Sequence, residues 1–221
     1  MRVVIAGGHG RIALILERLL STRGDSVAGL IRDPDQARSL AVAGAEALVV
    51  DLESASAEDV AKHLDGADAV VFAAGAGAGS AAARKESVDR DAAILLADAA
   101  EAAGVRRYLL ISAMGADLRA RDDAPDPVFR AYLRAKAAAE EAVRARTALA
   151  VTVVRPGLLM DAEATGRVTL ADVTDAGGIT REDVAAVLVA LLDVPGSEGR
   201  TLEVIAGGTL IADAVRALAP R

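Results

Sequence analysis

Arg2-Val3-Val4-Ile5-Ala6-Gly7-Gly8-His9-Gly10-Arg11-Ile12-Ala13 decides the fold. The short β-branched run reads as a buried strand, the glycines as a tight turn, and the apolar residues from Ile12 onward recur at helical spacing. A G-x-x-G-x-x-A turn between strand and helix lets backbone amides and a helix N-terminus approach a pyrophosphate. The small Ala13 in the third place still permits close packing of helix on strand. Gly7, His9, Gly10, Arg11 and Ile12 are therefore candidate cofactor contacts, with Arg11 offering a phosphate a charged side chain.

Outward from this unit, apolar runs rich in β-branched residues alternate with Ala-rich segments of helical period, the pattern of βαβ units. Strands are predicted over residues 2–6, 26–32, 45–50, 69–73, 107–112 and 151–155, with a weaker one at 202–205. Helices are predicted over 11–23, 35–43, 57–64, 87–103, 127–146, 181–192 and 210–218. Continuous apolar strands imply burial on both faces. The expected architecture is α/β: one Rossmann domain over residues 1–221, a doubly wound parallel sheet with helices on both faces. Residues 156–221 form a small substrate-side extension, which leaves room only for a shallow pocket.

Composition removes several classes of function. The 221 residues are 53% hydrophobic and 26% charged with mean hydropathy +0.34, ample for a folded core. A net charge of -7 argues against nucleic acid, so an anionic ligand needs a local basic site. With no Cys and only His9 and His63, disulfides, thiol catalysis and thiolate or multi-histidine metal sites drop out. No apolar run reaches the length of a membrane span, and the opening residues read as a strand, not a signal peptide. A cytoplasmic protein is expected. Only three of the 25 basic residues are Lys, which draws notice to each of them.

The second strand ends Leu30-Ile31-Arg32-Asp33-Pro34. Asp33 is placed as a helix N-cap before a proline, leaving Arg32 to meet a ribose 2′-phosphate, so NADP is expected over NAD. Asp51 and Leu52, closing the third strand, are placed to meet an adenine edge. Two loops, Gly75 to Ser80 and Met114 to Pro127, lie at carboxyl ends of strands, where open α/β sheets bind ligands.

Tyr132 and Lys136 stand four residues apart in a chain with two Tyr and three Lys, a coincidence of roughly 0.03 by chance. One helix face would carry both, and an ammonium there is expected to lower the phenol toward a useful range, making Tyr132 a general acid or base. Ser112 ends the fifth strand at the same sheet edge, able to hydrogen-bond a reacting oxygen. Met114 and Met160 are further candidates to line the site.

With these residues in place, the chain resembles an atypical short-chain dehydrogenase/reductase, of the NAD(P)-binding or NAD-dependent epimerase/dehydratase-like branch, over essentially its full length. Further carriers of the resemblance are Val70 to Gly75, Arg155-Pro156-Gly157 and Ile179-Thr180-Arg181-Glu182-Asp183-Val184-Ala185. It implies Tyr132 as proton donor, Lys136 as the residue that binds the nicotinamide ribose and tunes Tyr132, and Ser112 as the group orienting substrate. Ala73, Ala74, Gly75, Pro156 and Gly157 are implied as cofactor contacts. The family's usual active-site Asn is Asp89 here, a carboxylate that accepts but cannot donate.

These readings together lead to an NADP-dependent oxidoreductase, monomer or homodimer, moving a hydride to a small carbonyl, quinone-like or flavin-like acceptor. A sugar epimerase or dehydratase is the enzyme alternative, and an NmrA-like NADP(H) redox sensor the non-catalytic one.

Overall fold

Val3 and Ile5 of β1 (Arg2–Ala6) face one side of the central sheet and Val4 and Ala6 the other, and all four are fully buried. That is the signature of a strand covered by helices on both faces. The computed structural model describes residues 1–77, 84–118 and 126–219. Parts of both ligand-side loops, 78–83 and 119–125, lie outside the described residues.

From β1 the chain passes through α1 (Arg11–Arg23), β2 (Ser26–Ile31), a 3-10 turn (Pro34–Gln36), α2 (Ala37–Ala43), β3 (Glu46–Val49), α3 (Ala57–His63) and β4 (Ala69–Phe72). A wide π-helical segment, Lys85–Asp91, leads into α4 (Ala92–Ala102), followed by β5 (Arg107–Ile111), α5 (Pro127–Arg144) and β6 (Ala150–Pro156). The remainder comprises β7 (Leu158–Met160), β8 (Arg167–Ala171), β9 (Gly178–Thr180), α6 (Arg181–Asp193), β10 (Thr201–Ala206), β11 (Thr209–Leu210) and α7 (Ile211–Arg216).

The nine-stranded sheet runs β11-β8-β10-β6-β5-β4-β1-β2-β3. Strands β3-β2-β1-β4-β5-β6 follow the dinucleotide-binding order, so the direction of winding reverses between β1 and β4. β10 extends the parallel set beside β6. One apolar core joins the first face to α1, α6 and α7; the other joins the second face to α3, α4 and α5.

The sheet departs from the all-parallel expectation at one end, where β8 runs antiparallel to both β10 and β11. Only Val168 of β8 is fully buried, so this strand lacks the apolar run that marks the others. β7 and β9 form a separate parallel pair, equally short. The predicted regular helix from residue 87 begins instead in the π-helical segment, a wider winding often found at functional sites.

Caps explain two of the helix starts. Asp126 accepts from the Val128 amide with Pro127 at the first position of α5, and Thr180 accepts from the Asp183 amide at α6. Asp183 does not complete a capping box. Its carboxylate accepts from Thr165 and Gly166, fixing the approach to β8 against α6.

Candidate active site

Two cavities open along the carboxyl ends of the parallel strands and share Gly10, Ala73, Ala74 and Gly75 at the winding reversal. The smaller, about 320 Å³, is lined by Gly7, His9, Arg32, Asp51, Leu52, Glu53 and Arg84. The larger, about 700 Å³, is lined by Arg11, Ile12, Lys85, Asp89, Ser112, Tyr132, Lys136, Pro156, Gly157 and Leu159. Apart from Met114 and Met160, the candidate residues named from the sequence all line one of two cavities that meet at the glycine turn. Leu159, not Met114 or Met160, contributes the apolar wall beyond Gly157; Met160 instead packs against Gly178.

The turn fits a dinucleotide phosphate. Gly7 has φ +79°, and a Cβ there would lie 2.6 Å from the Ala74 Cα. One on Gly8 would lie 2.8 Å from the Gly29 Cα. Glycine is required at both positions because neighbouring backbone leaves no room. No side chain caps α1 at Gly10 and its first turn holds no acid, so the positive end of that helix faces the cavities, with Asp161 reaching only its Arg11 side chain.

At the smaller cavity Asp33 is spent as a cap on the Asp35 amide. Arg32 is not free, because its Nη1 donates to Glu53 Oε2 at 2.8 Å. The same carboxylate accepts from Arg84 Nη2 at 3.2 Å and, through Oε1, from Ser87 Oγ at 2.8 Å. Asp51 lines the cavity and also accepts from the Glu53 amide. Glu53 and Arg84 escape a sequence reading because neither stands at a motif position, and long-range folding alone brings them to Arg32. Arg11 likewise turns away from the glycine loop, to Asp161 at 2.5 Å.

Lys136 and Asp89 are both buried at the base of the larger cavity, Nζ to Oδ1 3.2 Å. The ammonium also donates to the Ile111 and Ala74 carbonyls, and Asp89 Oδ2 accepts from the Ala76 amide. Burial lowers the Lys136 pKa, an effect that Asp89 opposes. Lys136 lies 5.9 Å from the Tyr132 ring centroid. A second ammonium, Lys85, lies 5.3 Å from it and donates to the Gly77 carbonyl. Lys85 went unassigned in the sequence; its only signal was the scarcity of Lys.

The Tyr132 phenol is pushed up to about 12, first by its burial and then by the Asp89 charge. This reverses the downward shift expected from Lys136 alone, chiefly because the phenol is buried and further because a carboxylate sits beside the ammonium. At neutral pH Tyr132 holds its proton. Ser112 is buried, and its hydroxyl has no hydrogen-bond partner among the described residues. The only other Tyr, Tyr108, is spent in the core, donating to the Ala93 carbonyl.

A model of NAD(P)H-binding proteins matches residues 7–195, which spans the glycine turn, both cavities and α6. The chain belongs to the NAD(P)H-binding family. A Bacillus subtilis relative, named "Uncharacterized sugar epimerase YhfK", is 34% identical over 99% of this chain and 100% of its own length. Among solved structures, a Bacillus halodurans protein provisionally named an NAD-dependent epimerase/dehydratase superposes with TM-score 0.88 at 34% identity, covering 98% of this chain and 99% of that one. The Lactococcus lactis oxidoreductase ylbE gives TM-score 0.84 at 28% identity, covering 99% and 96%. As an NAD(P)H-binding protein, the chain would hold the phosphates at Gly7, Gly10 and Ile12 and the nicotinamide half beside Pro156, Gly157 and Leu159.

Proposed function

We propose that the chain is an NADPH-dependent reductase of a small carbonyl, quinone-like or flavin-like acceptor, with Tyr132 as proton donor. The observation that carries this reading is the buried, unpartnered Ser112 hydroxyl on the same cavity wall as Tyr132. A donor kept there with no acceptor among the described residues suits a substrate oxygen. A nicotinamide cofactor held beside Pro156, Gly157 and Leu159 would supply the hydride for the acceptor carbon. Ser112 orients the oxygen, and Tyr132 delivers the proton that this oxygen takes up. With its pKa raised to about 12, the phenol holds at neutral pH the proton that a donor needs. Lys136, tied to Asp89 and two carbonyls, keeps positive charge near the phenolate that forms.

Preference for NADPH is supported by Arg32 and Arg84, which converge at the rim of the smaller cavity. A 2′-phosphate would take over the place that Glu53 holds between them.

NADPH oxidation screened against aldehydes, quinones and flavins tests the reading. Tyr132→Phe is expected to slow turnover about 10² to 10⁴-fold. Firm NADPH binding with no oxidation by any acceptor class would favour the redox-sensor alternative.

A further inference from the structure

Arg11 and Arg181 are the first residues of α1 and α6, and both line the larger cavity. A cation in the first helical turn works against the helix dipole. In α6 Glu182 and Asp183 answer the dipole, whereas the first turn of α1 holds no acid, and two guanidiniums facing one cavity favour an anion between them. The chain provides one: Asp161 Oδ2 lies 2.5 Å from Arg11 and Oδ1 lies 2.6 Å from Arg181. Each guanidinium thus holds a different oxygen of a single carboxylate. Arg181 is mostly buried, while Asp161 is about half exposed on the segment after β7. Exposed ion pairs contribute little, so an incoming acid can displace Asp161.

We propose that Arg11 and Arg181 form a receptor for a carboxylate carried by the substrate, with Asp161 as its tethered competitor. The substrate is then an acidic carbonyl compound, its acid group at the arginines and its carbonyl toward Ser112 and Tyr132. This rests on the reductase reading for the reaction but not for the binding. The same guanidinium chemistry would also suit the cofactor's pyrophosphate, since Arg11 follows the glycine turn directly. Cofactor and substrate therefore need separate measurements.

The probes are 4-carboxybenzaldehyde and benzaldehyde, titrated calorimetrically into NADP⁺-loaded protein and then supplied as acceptors with NADPH. The acid is expected to bind at least about ten-fold more tightly than its neutral counterpart. Arg181→Gln should bring that ratio close to one, with Arg11→Gln as a second variant should the first fail to fold. Asp161→Asn should move the other way, tightening the acid several-fold by removing the competitor. Equal binding of the two probes overturns the proposal, as does an acid preference that survives Arg181→Gln. It is equally overturned if Asp161→Asn weakens the acid, or if the arginine variants lose NADPH affinity and leave the probe ratio intact. Arginine-dependent binding of the acid without reduction of either aldehyde would defeat the reductase reading and leave the receptor standing. Reduction of both aldehydes at equal efficiency and equal affinity would do the reverse.

Discussion

Asp89 and Lys136 form a buried ion pair, their side chains 0% and 5% exposed, beneath the ring of Tyr132. The carboxylate has two effects, both upward. It opposes the lowering that burial imposes on Lys136, and it adds to the upward shift of the Tyr132 phenol.

Asp89→Asn should therefore lower both pKa values. The Lys136 ammonium loses its counter-charge, and the phenol loses a repelling one. Any Tyr132-dependent rate is expected to shift its pH profile to lower pH, followed from pH 6 to 10 in steady state. Uncompensating the buried ammonium should also destabilise the fold by about 3 kcal/mol, read by denaturant titration. An unmoved profile with unchanged stability would detach Asp89 from the site.

Lys85 ties the segment after β4 to Tyr132, donating to Gly77 and facing the phenol ring. Lys85→Met keeps most of the stem and removes the charge. Turnover is expected to fall about ten-fold through poorer placement of Tyr132, with a smaller change in NADPH affinity. Comparison of kcat with the cofactor Kd checks this.

Glu53 occupies the gap between Arg32 and Arg84 that a 2′-phosphate needs. Glu53→Gln should tighten NADPH and leave NADH nearly as it was. Arg32→Ala should erase most of a preference that a charge-assisted phosphate contact sets at about ten- to a hundred-fold. Titration of both cofactors into wild type and variants decides it, and equal wild-type affinities would defeat the 2′-phosphate assignment.

Glu17, on α1, is fully buried between Gly8 and Gly29 and has no hydrogen-bond partner among the described residues. Burial pushes its carboxyl up to about 8, so the folded state holds a proton that the unfolded chain releases near 4.5. Stability from this group is complete below about pH 4.5, falls as pH rises, and levels off above about 8. Glu17→Gln should stabilise the protein by about 3 kcal/mol at pH 7 and leave it little changed near pH 4. Thermal melts across that range would show the difference, and parallel curves for the two proteins would refute it.

The parallel strands and major helices were legible because each carries its own local signal. β1 and α1 lie where periodicity and the glycine turn put them, and Asp33-Pro34 caps a helical start, that of the 3-10 turn ahead of α2. β7, β8, β9 and β11 were not legible: they are short and partly exposed, and they exist through pairing with distant partners. The candidate site divides in the same way. Ser112, Tyr132 and Lys136 are marked by a strand end and a helical spacing. Lys85, Glu53 and Arg84 carry no spacing signal, and Arg181 stands in the sequence only within the Ile179 to Ala185 stretch of the resemblance.

The sequence by itself determined the winding of the sheet, the dinucleotide turn and the face that carries Tyr132 and Lys136, since all three follow from periodicity and from glycine's steric freedom. Tertiary structure alone decided how the charges pair. Arg32 meets Glu53 and Arg11 meets Asp161 across 21 and 150 residues of chain respectively. Burial of Tyr132, reinforced by Asp89 beside Lys136, turns the expected downward shift of the phenol into an upward one. Electrostatic energies depend on distance and burial in space, and neither is encoded in the local pattern of residues.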